Sequence, residues 1–110
     1  MMKIAMSRPA SALLSALLGR CPEERDRILL SEVRSVDWQS LTFVGERHCI
    51  ELRIIGERSI DLAERLTRGL EDAEFNLRGH FVADIAVAGE PRQELDGGLT
   101  LTIEALTIAE

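Results

Sequence analysis

The sequence predicts an α+β domain: an N-terminal helix followed by β-β-α-β-β, with four strands in one mixed sheet and a crossover helix on one face. Three observations predict it. Residues 47–55 alternate strictly, with His48, Ile50, Leu52 and Ile54 on one side and Cys49, Glu51 and Arg53 on the other, which is the period of a half-buried strand. Leu62, Ala63, Leu66, Leu70 and Ala73 then recur at helical spacing. Two further alternating stretches, 77–88 and 99–108, complete the pattern.

In chain order, Ser7-Arg8-Pro9 offers an N-cap with Pro in the first turn, and Leu13, Leu14, Leu17 and Leu18 form an amphipathic stripe up to Gly19. Residues 1–22 read as a helical segment and 23–110 as the sheet domain, with a brief acidic turn at Pro22-Glu23-Glu24. From Ile28 to Val44 the chain reads extended. A bend near Asp37 and a bulge around Gln39-Ser40 are expected, because Val33, Leu41 and Phe43 do not share phase with Val36 and Trp38. Gly45-Glu46 reads as a two-residue hairpin turn, setting Phe43 against His48 and Leu41 against Ile50.

Gly56 stops the second strand, Ser59 caps the crossover helix, and the helical stripe ends near Glu74, with Asn76 closing it. In the third strand Phe81, Ala83, Ile85 and Val87 are expected inward, with His80, Val82 and Asp84 outward. In the fourth, Leu99, Leu101, Ile103 and Ala105 point inward. Gly89–Gly98, with Pro91 and Asp-Gly-Gly, reads as a long, exposed and mobile hairpin loop. The crossover helix would make the second and third strands parallel.

At 110 residues the chain can bury one core, which argues against an enzyme with a cleft between two lobes. Hydrophobic residues at 45% and mean hydropathy of +0.02 fit a folded, soluble protein. The net charge of -6 repels phosphate backbones and anionic lipid, so neither nucleic acid nor membrane is expected as a partner. Residues up to Arg58 carry nine Lys/Arg against eight Asp/Glu, and the remainder four against eleven, so the acidic half supplies the third and fourth strands. An RNA-binding sheet is disfavoured on the same ground. Cys21 and Cys49 belong to no C-x-x-C pair and read as free thiols in a reducing, cytoplasmic setting. The apolar run from Ala10 to Leu18 is short and lacks a small-x-small cleavage site, so it does not read as an export signal.

No phosphate-cradling loop, nucleophile elbow or metal signature is present, so no cofactor and no metal are expected. Alternation places His48 and His80 on opposite faces and turns Cys49 away from His48, which argues against a metal site or a Cys-His pair. Glu46, Arg47 and His48 form one candidate site, three functional side chains held at a tight turn and suited to a small, anionic ligand. Glu71, Asp72 or Glu74 at the helix C-terminus would keep His48 charged. A structural role, with Gly45 serving the turn and His48 capping the core edge, is the favoured account of the same residues. Asp84 and Glu104 could form a carboxylate pair on the outer face, although cross-strand ion pairs with Glu51, Arg53 and Arg78 explain them as well.

The expected function is a non-catalytic oligomerisation or protein-interaction module, with catalysis left open. One helix covers one face of a four-stranded sheet, so Trp38, Val82, Leu106 and Ile108 on the other face are the expected interface of a homodimer or of a complex with another protein. The N-terminal helix is the rival cover for that face. The alternative function is a small-ligand binding protein or small enzyme with its site at Gly45–His48.

Overall fold

The computed structural model describes residues 5–110. Its elements run α1 (Arg8–Leu18), a 3-10 turn at Pro22–Arg27, β1 (Ile28–Gln39), β2 (Val44–Ile54), α2 (Ser59–Thr67), a 3-10 turn at Leu70–Asp72, β3 (His80–Val87), β4 (Arg92–Gln93) and β5 (Leu99–Ala109). The α+β class and the N-terminal helix are as expected. The sheet differs. It has five strands in the order β1-β2-β5-β3, with two-residue β4 beside β5, and each neighbouring pair is antiparallel.

The expected mixed sheet fails because β5 enters between β2 and β3. These two strands still point the same way, but each pairs with β5 instead of with the other. Burial explains the choice of centre: β5 is buried along most of both faces, whereas β3 alternates with exposed positions such as Ala83 and Asp84 and suits an edge. A central strand satisfies its backbone groups on both sides, so the most apolar strand gains most there.

The β1-β2 turn is not at Gly45-Glu46. Gln39 pairs with Val44, so the connection is Ser40–Phe43, and Gly45 lies within β2 opposite Trp38. The Ser40 hydroxyl accepts from the backbone N–H of Phe43 at 3.1 Å and closes this turn, which leaves Leu41 and Phe43 exposed. The register follows: His48 faces Ser35 and Ile50 faces Val33, not Phe43 and Leu41. The irregularity in β1 falls between Leu30 and Glu32, not at Gln39-Ser40.

A second irregularity, between Val82 and Asp84, changes the phase of β3. Val82 pairs with Thr107 and packs against the core, while Phe81 pairs with Ile108 on the other face. The placement of Val82 outward and Phe81 inward is therefore reversed, and His80 joins His48 on the helix-bearing face. One extra residue in a strand moves every earlier side chain to the opposite face.

Both helices pack on that same face. Leu13 and Leu17 of α1 and Leu62 and Leu66 of α2 are fully buried in one core with Ile50, Leu52, Ile54, Leu101 and Ile103. The Ser7 hydroxyl caps α1, accepting from the backbone N–H of Ala10. α2 stops at Thr67 because Gly69 takes a left-handed conformation, φ 64°, so Leu70 reaches the core from a 3-10 turn and the helix does not extend to Glu74. The cap position of α2 belongs to Arg58, and Ser59 is its first residue, its hydroxyl donating to the Gly56 carbonyl at 2.8 Å. No described helix is long and apolar enough to cross a membrane.

Candidate functional site

Glu46, Arg47 and His48 do not converge. As consecutive residues of β2 they alternate, so Glu46 and His48 point toward the helices and Arg47 toward the open face. His48 is buried and satisfied: Nδ1 lies 2.7 Å from the Ser35 hydroxyl and Nε2 lies 2.8 Å from the Thr107 hydroxyl. Burial holds its pKa below the usual histidine value, Glu46 opposes this with its carboxylate 3.9 Å from Nδ1, and His80 adds to the lowering. The expected charged His48 is thus a neutral one. Glu71, Asp72 and Glu74 take no part, because β5 separates β2 from the strand beside their turn. Glu46 instead accepts a 2.6 Å hydrogen bond from the Ser7 hydroxyl, which fixes the start of α1 to the sheet.

The other face of the sheet is built from ladders of opposed residues. Trp38, Gly45, Ile108 and Phe81 form the first, Val36, Arg47, Leu106 and Asp84 the second, and Arg34, Cys49, Glu104 and Ala86 the third. Neither helix packs on it, since the sheet residues of the core all come from the opposite face; the β4 segment reaches only the end that carries Arg53 and Thr100. Leu106 and Ile108 are nevertheless only 8% and 3% exposed and lie outside that core. They sit on the central strand, shut in by the side chains of flanking strands. The accessible apolar surface belongs instead to the edge strands, where Val36 is 60% and Phe81 41% exposed, with half-buried Trp38 nearby. Phe81 was the residue missed; only the phase change at Val82–Asp84 brings it here, and no sequence pattern marks that bulge.

A trough of about 310 Å³ lies on this face among Arg34, Val36, Arg47, Cys49 and Glu104. Its floor includes His48 and Ala105, which oppose each other across β2 and β5. The His48 side chain has no exposure, so this floor is backbone and the imidazole is not offered to a ligand.

Charge is divided across the face. Near β4 it is internally neutralised: Arg53 pairs with Asp96, Arg92 lies 3.4 Å from Glu94 and 4.0 Å from Glu51, and the Thr100 hydroxyl donates to Glu94 at 2.8 Å. That hydrogen bond, with Arg92 and Arg53, holds the Glu94 carboxyl below its ordinary value. Toward the β1-β2 turn, Arg34 and Arg47 occupy β1 and β2 while Glu104 and Asp84 occupy β5 and β3. Arg47, Asp84 and Glu104 have no ion-pair partner among the described residues, and Arg34 has only exposed Glu32 at 3.7 Å. Asp84 and Glu104 share the face but stand on different ladders, diagonal to each other.

The chain matches no protein-family model and no curated protein. Function therefore rests on the geometry. Among the described residues no group of three or more His, Cys, Asp and Glu side chains could hold a metal ion.

Proposed function

We propose that this protein is a non-catalytic protein-interaction module whose contact surface is the open face of its sheet. One observation carries the reading: α1 and α2 share the opposite face, so the exposed apolar side chains of Val36 and Phe81, with half-buried Trp38, have no helix over them. Covering such surface is worth about 25 cal/mol per Å². Exposed apolar side chains on the two edge strands, interleaved with the charges of Arg34, Arg47, Asp84 and Glu104, give the face the mixed character of a contact surface. The trough gives a partner's side chain somewhere to seat.

A second reading, a small anionic ligand in that trough, is favoured by the two guanidinium groups of Arg34 and Arg47. Glu104 on the same wall opposes it. Catalysis has no support from His48, whose ring is enclosed and hydrogen-bonded on both nitrogens.

The test is a photo-crosslinking amino acid placed at position 36 or 81 in living cells, with position 64 on the exposed side of α2 as the control. Protein adducts are expected from 36 and 81 and not from 64. Adducts equally from all three positions, or from none, would overturn the reading.

A further inference from the structure

We infer that the partner on the open face is a second copy of this chain, related by a two-fold axis running parallel to the strands. The inference rests on the interaction reading above and adds the partner and its orientation. Within one copy, Arg47 on β2 and Asp84 on β3 are separated by β5. At the usual strand spacing they stand about 10 Å apart on one ladder and cannot neutralise each other. Arg34 on β1 and Glu104 on β5 are kept apart in the same way by β2.

A two-fold axis along the strands keeps each ladder at its own level and reverses the strand order. β1 of one copy then lies over β3 of the other, and β2 lies over β5. The flank carrying Arg34 and Arg47 meets the flank carrying Asp84 and Glu104, and symmetry repeats the match on the other side. Facing sheets pack about 10 Å apart with their side chains pointing toward each other, so an arginine and a carboxylate from opposite copies close the gap between them, whereas on one face their side chains run parallel. The same operation sets exposed Phe81 over Trp38. An axis across the strands would instead stack β1 on β1, placing arginine on arginine. Electrostatics thus selects one orientation from the two that sheet packing allows.

The experiment uses two charge-reversed variants of the full chain, Arg34→Glu with Arg47→Glu, and Asp84→Arg with Glu104→Arg. All four positions are exposed, and thermal melts confirm folding before association is measured. Sedimentation velocity at low salt is expected to show a wild-type dimer. Each variant alone presents like charges twice and dissociates, with affinity weakened by at least about tenfold. An equimolar mixture presents opposite charges twice and recovers the dimer. The smaller pair, Arg47→Glu and Asp84→Arg, serves if either double variant fails to fold. A wild-type dimer whose two variants stay monomeric when mixed would overturn the orientation and leave the interaction surface standing. A wild-type mass of 12.2 kDa at every concentration, with adducts at 36 and 81 to another protein, would overturn the second copy as the partner.

Discussion

The ring of His48 ties three elements together at the scale of one residue. It receives Ser35 from β1 and Thr107 from β5, and neutral imidazole suits two hydroxyls because one nitrogen donates while the other accepts. Since burial depresses its pKa below 6.5, the unfolded chain takes up the proton first as pH falls. The contribution is therefore whole above 6.5 and is lost as pH drops through 6.5 toward the depressed folded value. Urea midpoints measured on both sides of 6.5 are expected to fall on the acid side, with a shallower fall in His48→Gln. His48→Ala leaves the fully buried Thr107 hydroxyl without its partner and is expected to cost about 2 kcal/mol in urea denaturation. Gly45 is constrained by close approach: a Cβ there would lie 2.0 Å from the Thr107 carbonyl oxygen, a backbone atom that cannot step aside. Gly45→Ala is accordingly expected to cost on the order of 3 kcal/mol, read as a lowered melting temperature.

Among the elements, α2 is short, and the carbonyls at its end are satisfied by a residue far away in sequence. The Arg20 guanidinium donates to the Leu66 carbonyl at 2.8 Å and to the Arg68 carbonyl, satisfying acceptors that the last helical turn leaves open. Arg20→Ala is expected to destabilise by about 1–2 kcal/mol, and Arg20→Lys to recover part of it, because an ammonium lacks the planar fork that reaches both carbonyls. Urea denaturation of the two variants measures the difference. The segment 89–98, expected to be a structureless loop, contains β4 and a turn in which Glu94 N–H donates to the Gly98 carbonyl. Its one large apolar side chain, Leu95, is nonetheless fully exposed.

For the molecule as a whole, two faces of one sheet have different fates, and the two thiols report on them. Cys21 is sealed in the core beneath the helices, while Cys49 stands half-buried on the open face between Arg34 and Glu104. Alkylation of the native protein is expected to modify Cys49 first, at a rate that falls as protein concentration rises and the face is covered. Cys21 should react only on unfolding. Mass spectrometry after timed alkylation checks both outcomes, and a Cys49 rate independent of concentration would count against coverage of the face.

Local pattern by itself determined α1, the body of β2 and β5, the α+β class and the core leucines and isoleucines. Leu13 with Leu17, and Ile50 with Leu52 and Ile54, carry a periodicity that one burial direction explains without reference to the rest of the chain. Tertiary structure decided the strand order, the β1-β2 turn and the face of Val82. Strand order depends on which strand gains most from two hydrogen-bonded neighbours, a comparison between β5 and β3 that neither segment contains. The Gly45-Glu46 signal was misleading because that glycine answers a close approach from Thr107, far away in the sequence, rather than a turn. Val82 and Phe81 exchanged faces because side chains alternate with period two, so a single bulge reverses them, and whether a bulge forms is settled by pairing with β5. The candidate site changed for the same reason: its residues meet only through ladders across four strands, and no ladder can be read from one strand alone.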